Sequence, residues 1–334
     1  MVEQSHPVDQ PVRIVFMGTP DFAVPTLQAL VENAQVRDVW PAGLELVGVV
    51  TRPDKPVGRG LQTVYSPVKQ YAMQVGLPVL QMRSLRWPDT QGTLRELEPD
   101  LIIVAAFGQI LPREVLEMPA HGCLNAHASL LPRWRGAAPI AAAIRAGDAE
   151  TGITIMRMEE GLDTGAIVSA RATLIGDGET TGGLTARLAR LAAELLLETL
   201  PNWLGGGITP TPQDEAEATM TRPLRKEDGR LDFQRPAVEL ARQIRSMTPW
   251  PGAFTTWQGK LLKIHAAEPI AREQELAAGT CYPLAAGDTR GALACACGEG
   301  ALALKVIQLE GKRPVPSADA LRGYPALAHA TLGE

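Results

Sequence analysis

At 334 residues with 45% apolar content, the chain exceeds what one hydrophobic core ordinarily holds, so two domains are expected. A net charge of −5 excludes a uniformly basic nucleic-acid binder, although cations can still be gathered locally. The N-terminal stretch lacks the basic start, apolar core and small-residue cleavage site of a leader, and no apolar run approaches the length of a membrane helix, so a cytoplasmic protein is expected.

In chain order, Arg13-Ile14-Val15-Phe16-Met17 reads as a buried strand that stops at Gly18-Thr19-Pro20-Asp21, where a helical pattern begins near Phe22. Residues 44–50 form a second apolar strand, 66–76 a helix with Pro67 in its first turn, and Val79-Leu80 a brief third strand. Leu101-Ile102-Ile103-Val104-Ala105-Ala106 is uniformly apolar and therefore expected to be covered on both faces. Strands follow at 123–126, 151–158 and 166–173, with an alanine-rich helix at 137–146 and a long amphipathic helix at 181–200. This alternation predicts an α/β domain, a Rossmann-like doubly wound and mostly parallel sheet, over residues 11–204. Gly205-Gly206-Gly207 and Thr209-Pro210-Thr211-Pro212 give 205–218 the composition of a linker. Beyond it, short strand patterns at 252–257, 261–266, 292–297 and 301–309 predict a small β-barrel domain over 219–330. The chain has no internal repeat.

Several patterns argue against particular chemistries. No G-x-G-x-x-G follows the first strand, because Pro20 and Asp21 stand where further glycines would admit a pyrophosphate. NAD binding is not expected, and the turn is read as structural with Asp21 as a helix cap. The four cysteines, Cys123, Cys281, Cys295 and Cys297, are dispersed, and Cys295-Ala296-Cys297 is too tight for a usual zinc pair. They are read as reduced structural thiols, with no metal.

The chemistry concentrates in Asn125-Ala126-His127-Ala128-Ser129-Leu130-Leu131-Pro132. Alternation along a strand places Asn125 and His127 on one face. An amide donor beside an imidazole suits acyl transfer through a tetrahedral intermediate. Asp163, in the glycine-framed Gly161-Leu162-Asp163-Thr164-Gly165 turn, is the third partner that orients or charge-balances the imidazole. Taken singly, Asn125 also suits a strand end, His127 a satisfied buried imidazole, and Asp163 an ordinary turn. Residues 51–70 gather Arg52, Lys55, Arg59 and Lys69 against Asp54 alone, among prolines and glycines that favour a long exposed loop. That loop is either a phosphate-contacting surface or a solvated charge run.

Gly18-Thr19-Pro20-Asp21-Phe22-Ala23, the Arg52-Pro53-Asp54-Lys55-Pro56-Val57-Gly58-Arg59-Gly60 loop, Ser66-Pro67-Val68-Lys69, the stretch from Asn125 to Ile140, and Gly161-Leu162-Asp163-Thr164-Gly165 together resemble the methionyl-tRNA formyltransferase family of the 10-formyltetrahydrofolate-dependent formyltransferases. The resemblance runs from about Arg13 into the second domain, where Thr248-Pro249-Trp250-Pro251-Gly252 is a weaker signature. It implies the formyltransferase fold with an OB-like β-barrel, and formyl transfer from 10-formyltetrahydrofolate to the α-amino group of methionyl-initiator tRNA. In that reading Asn125 donates to the formyl oxygen, His127 stabilises it and moves protons, Asp163 supports the imidazole, and no metal takes part. The folate pocket is expected at Ser129, Leu130, Leu131 and Pro132 and at Phe107, Gln109, Ile110 and Leu111, which follow carboxyl ends of strands. For each of these leucines and Ile110 plain core packing is the competing role, and Leu131-Pro132 is a candidate cis bond. Arg52, Lys55 and Arg59 are the expected tRNA contacts, on a monomer.

The chain departs from the family pattern at Leu61-Gln62, where relatives commonly carry a lysine pair, and at Ala166, where an acidic residue is frequent. From Thr209 onward 15 Lys and Arg balance 15 Asp and Glu. Any tRNA contact there needs a local face such as Arg222, Arg225, Lys226, Arg242, Arg245, Lys260 and Lys263. Two other readings compete: a formyltransferase or hydrolase acting on a small nucleotide or sugar, and a non-enzymatic RNA-binding module.

Overall fold

The computed structural model describes residues 10–35, 42–57, 62–285 and 291–333, which divide into two compact units interleaved along the chain. Unit one comprises residues up to 139, 150–173 and 185–221; unit two comprises 140–149, 174–184 and the chain from 222.

Unit one is built on a seven-stranded sheet. In chain order the strands and helices run β1 (Val12–Gly18), α1 (Val24–Asn33), β2 (Leu44–Thr51), β3 (Lys55–Val57), β4 (Gln62–Val64), α2 (Pro67–Gln74), β5 (Val79–Gln81), α3 (Pro88–Glu96), β6 (Leu101–Ala105), α4 (Arg113–Leu116), β7 (Cys123–His127), β8 (Arg135–Gly136) and α5 (Pro139–Ala146), the last belonging to unit two beyond Pro139. They continue with β9 (Glu150–Arg157), β10 (Ile167–Leu174), α6 (Thr181–Leu204) and β11 (Met220–Thr221). The strand order is β10-β9-β7-β6-β1-β2-β5. β5, β2, β1, β6 and β7 pair in parallel, and β9 runs antiparallel to β7. All five residues of β6 are buried, as its unbroken apolar run requires of a strand covered on both faces. The chain leaves β1 toward β2 on one side and returns to β6 on the other, which puts a topological switch point at β1, and open α/β sheets bind ligands beyond the carboxyl ends of strands there.

Local chemistry accounts for the entry turns. A Cβ on Gly18 would lie 2.8 Å from the Cβ of Ala23 and 3.0 Å from the Ala105 carbonyl oxygen. The glycine therefore serves close strand-to-helix packing rather than a pyrophosphate. The expected Asp21 cap is not formed: Asp21 starts a 3-10 turn with no side-chain cap hydrogen bond, because Pro20 occupies the cap position. Ser66 does cap α2, its Oγ accepting from the Lys69 amide at 3.2 Å, with Pro67 following at the first helical position. The sequence pattern misses α3 and α4. α3 buries Leu94 alone and α4 is a single turn burying Val115, so neither presents a periodic apolar stripe. Both residues join Val15, Met17, Ile102 and Val104 in the core.

The described arms of the basic loop pair with each other, which its prolines and glycines do not predict. Its arms β3 and β4 pair antiparallel, Lys55 opposite Val64 and Val57 opposite Gln62. At its base the Lys69 ammonium bonds Asp54 at 2.5 Å and Gln81 at 3.0 Å, which holds the Asp54 carboxyl below its ordinary range through the Lys69 hydrogen bond.

Unit two carries the antiparallel sheet expected of the second domain, formed by β12 (Ala253–Trp257), β13 (Lys260–Ile270), β14 (Cys281–Pro283), β15 (Leu293–Ala296), β16 (Ala301–Leu309) and β17 (Val315–Pro316). The sheet order is β12-β13-β16-β15-β14, with β17 paired to β16. α7 (Ala237–Ser246) and α8 (Ser317–Gly323) belong to the same unit, and Leu240 and Ile244 of α7 share one core with Leu262, Ile264, Leu304 and Ile307. Among the described residues no helix is long and apolar enough to cross a membrane.

All four cysteines are free and buried. Burial pushes the Cys123 and Cys297 thiols up to about 12 and raises Cys295 in the same direction, so the thiolate is disfavoured at neutral pH. In the native protein at pH 8, Cys123, Cys295 and Cys297 are expected to resist a thiol-specific reagent that modifies them rapidly in denaturant. Rapid modification of any of the three before unfolding would contradict this burial.

Candidate active site

Asn125 and His127 lie on β7, the sheet's parallel strand next to the antiparallel β9, with Asn125 opposite Met156 and His127 opposite Thr154. Two-residue alternation gives them a common face, and both are buried, 9% and 6% exposed. The imidazole is held at one nitrogen and faces a carboxyl group at the other. Nε2 is 3.0 Å from the Trp134 carbonyl oxygen, and Nδ1 is 3.6 Å from Asp163 Oδ2. A carbonyl only accepts, so the Nε2 proton stays in that bond and Nδ1 is the atom free to take up or release a proton. The structure thus brings Asp163 to His127, as the spacing of the two motifs alone could not require.

Each partner has its own support. Asp163 adopts φ +55°, a left-handed conformation tolerated by Asp, and its Oδ2 accepts from the Gly136 amide at 2.8 Å. The glycines framing it are steric requirements: a Cβ on Gly165 would sit 1.7 Å from the Arg157 carbonyl oxygen, and one on Gly161 2.1 Å from Thr164 Oγ1. Thr154 holds the turn after β7, its Oγ1 donating to the Ser129 carbonyl at 2.7 Å and accepting from the Leu131 amide at 3.1 Å. The Leu131–Pro132 bond is cis, as expected.

The segments assigned to folate divide. Ser129 is fully buried and its Oγ donates to the Arg133 carbonyl at 2.6 Å. Leu131 is buried, while Leu130 and Pro132 are half-buried. The Phe107 and Leu111 side chains are buried and pack into the core with Val15, Met17 and Ile102. Gln109 donates to the Met82 carbonyl at 2.9 Å. Ile110 alone of that segment is a well-exposed apolar side chain, at 57%.

Of the expected tRNA residues, Arg52 is exposed but engaged: its guanidinium donates to the Gly108 carbonyl, linking the base of the basic loop to the turn after β6. The Lys55 side chain and Arg59 lie outside the described residues. In unit two much of the cationic face is occupied internally. Arg222 pairs with Asp228, Arg242 lies over Gly147 and reaches the Ala146 carbonyl, and Arg245 donates to the Glu179 carbonyl at 3.1 Å. Lys226 and Lys260 are exposed. Among the described residues no group of three or more His, Cys, Asp or Glu could hold a metal ion.

Sequence reasoning missed the residues behind His127. Arg135 is buried, at 3% exposure, and forms a two-pronged pair with Glu215, Nη1 to Oε2 at 2.9 Å and Nη2 to Oε1 at 2.7 Å. Glu215 keeps the guanidinium pKa raised, and Arg135 lowers that of the carboxyl. Thr219 Oγ1 accepts from the Trp134 amide at 2.8 Å. A second arginine in Pro132-Arg133-Trp134-Arg135-Gly136 was the available signal for Arg135. Nothing local marks Gln213 or Thr219, which follow a glycine- and proline-rich stretch.

The seven-stranded sheet and the Asn125, His127 and Asp163 arrangement fit a transferase of acyl groups to amines. Residues 12–200 match the formyl transferase family and 223–325 the formyl transferase C-terminal domain, so the class is that of formyl transferases. Over 312 residues the chain is 49% identical to the methionyl-tRNA formyltransferase of Myxococcus xanthus strain DK1622, covering 93% of this chain and 95% of that one. The chain belongs to the methionyl-tRNA formyltransferase family. Among solved structures, it shares its fold with WlaRD, a sugar 3N-formyl transferase crystallised with dTDP and 5-N-formyl-THF (TM-score 0.61, 16% identity, 90% of this chain and 99% of that one). It shares it also with HypX from Aquifex aeolicus in complex with tetrahydrofolic acid (TM-score 0.58, 20% identity), covering 92% of this chain but 46% of HypX.

Proposed function

We infer that the protein transfers the formyl group of 10-formyltetrahydrofolate to the α-amino group of methionine esterified to initiator tRNA. The observation that carries this reading is the buried imidazole of His127, tied at Nε2 to the Trp134 carbonyl and facing the Asp163 carboxylate at Nδ1, in a chain of this family. Bound folate supplies a formyl carbon attached to N10. An α-amino group, with an ordinary pKa of about 8, is largely protonated at neutral pH and needs a base before it can attack. Asp163, 12% exposed at its side chain, is placed to accept that proton directly or through a water. Attack then puts negative charge on the formyl oxygen, met by the Asn125 amide and a proton on His127 Nδ1; collapse breaks the bond between the formyl carbon and N10, and the proton taken from the amine passes to N10 as tetrahydrofolate leaves.

The turn from Ser129 to Pro132 and the exposed Ile110 suit an apolar wall with backbone hydrogen-bonding groups for a pterin; Phe107 and Leu111, whose side chains pack in the core, leave only their backbone to a ligand. Arg52, Lys55 and Arg59 form the tRNA-facing loop, and the second domain, taken as residues 219–330, adds Lys226 and Lys260. The acceptor assignment is tested by measuring methionyl-tRNA affinity against salt for Lys55→Ala with Arg59→Ala. The slope of log affinity on log salt is expected to become shallower by up to about one for each phosphate that the loop no longer neutralises, with folate affinity unchanged. An unaltered slope would remove this loop from tRNA recognition.

A further inference from the structure

Residues 205–218, linker-like in composition, reach the neighbourhood of His127. The chain is stitched to β10 by paired backbone bonds between Thr211 and Ile167, each 2.8 Å. It then passes Gln213, whose Nε2 donates to the Asp163 carbonyl at 2.8 Å and the Gly165 carbonyl at 2.7 Å. The Gln213 Oε1 accepts from Arg135 Nε at 2.9 Å. The amide has one workable orientation there, since carbonyls only accept and a guanidinium only donates. Further along, Thr219 receives the Trp134 amide on its Oγ1 and the Arg135 amide on its carbonyl, both at 2.8 Å, and β11 pairs in parallel with β8.

This one strap therefore holds both groups that hold His127. Gln213 grips the backbone of the Asp163 turn on one side of the ring, and Thr219 grips Trp134, whose carbonyl fixes Nε2, on the other. The left-handed backbone of Asp163 and Trp134, φ +55° and +61°, makes both positions dependent on such external support.

We propose that Gln213 is a positioning residue of the formyl-transfer site: its amide, anchored by Arg135, sets the Asp163 carboxylate against His127 Nδ1. The proposal rests on the formyl-transfer reading. Gln213 touches no reacting atom; it acts through Asp163. Gln213→Leu removes all three hydrogen bonds, and Gln213→Glu keeps the acceptor for Arg135 while removing both donors to the Asp163 turn.

The test is steady-state formyl transfer by the full chain carrying Gln213→Leu, Gln213→Glu, Asp163→Asn, and each Gln213 change combined with Asp163→Asn. In the parent background kcat is expected to fall about tenfold or more, as displacement of a reacting group does, with KM for both substrates within about threefold. In the Asp163→Asn background the same change is expected to reduce kcat less than about twofold, because the residue through which it acts is already disabled. Equal losses in both backgrounds, or a raised KM with kcat kept, would overturn the proposal. Should Gln213→Leu not fold, Gln213→Glu carries the comparison.

A second readout needs no turnover. The ring-nitrogen NMR signals of His127 are expected to shift in Gln213→Glu while those of His265, bonded to Gln308 in unit two, stay in place. Unmoved His127 signals would refute the positioning role. A parent protein that formylates nothing would refute the reaction, leaving the NMR comparison to decide the positioning.

Discussion

Replacing His127 or Asn125 by alanine is expected to lower kcat for formyl transfer at least about a hundredfold while the protein remains folded. The two side chains differ in what they supply. Asn125 offers an amide donor whose loss removes one hydrogen bond to the developing negative charge, an effect of roughly 3 to 4 kcal/mol where such donors have been removed from comparable sites. His127 offers a proton that can come only from Nδ1, since Nε2 is held by the Trp134 carbonyl at 3.0 Å. Both residues sit on β7, whose interior neighbours Leu124 and Ala126 keep their apolar packing in either variant. Stability should therefore fall far less than activity, although His127→Ala leaves the Trp134 carbonyl without its donor. Turnover within a few-fold of the parent in either folded variant, measured with thermal unfolding as the control, would contradict these roles.

Asp163→Asn is expected to reduce kcat by at least about a hundredfold, because a carboxylate beside a catalytic imidazole stabilises its protonated form. The substitution separates charge from shape. An asparagine oxygen can still accept from the Gly136 amide, which now bonds Asp163 Oδ2 at 2.8 Å, and the Asp163 carbonyl keeps its bond from Gln213. The turn therefore persists. What disappears is the negative charge 3.6 Å from Nδ1 and, with it, the base proposed to take the proton of the attacking amine. A near-parental kcat, with the fold verified by denaturant titration, would show that the carboxylate serves only to cap the turn.

The sequence disclosed the parts of the fold that rest on uniform or periodic apolar patterns. β1, β2, β6 and β16 appear at or within two residues of their expected bounds, because each is a run of side chains that only burial explains. α3 was illegible because most of its residues are polar and one leucine does its packing. The hairpin of β3 and β4 was illegible because its prolines and glycines signal turns more strongly than its short arms signal pairing. At the site, Asn125 and His127 were legible through strand alternation, and Asp163 through its glycine frame, whose steric necessity the structure gives directly. Arg135, Gln213 and Thr219 were not. Their partners are groups as many as 85 residues away in the chain, and such pairings leave no periodic trace. Phe107 and Leu111 show the converse: apolar residues after a strand's carboxyl end suit a ligand wall and a core equally well, and here the core takes them.

The most direct measurement of the proposed reaction follows a labelled formyl group. The protein is mixed with 10-formyltetrahydrofolate carrying label in the formyl carbon, with methionyl-initiator tRNA and a nucleotide-linked amino sugar present together. The label is expected on the α-amino group of methionine, recovered as N-formylmethionine after the ester is hydrolysed, and this transfer is expected to be lost in His127→Ala. Label recovered as free formate, or on the amino sugar with methionyl-tRNA left unformylated, would contradict formyl transfer to the initiator.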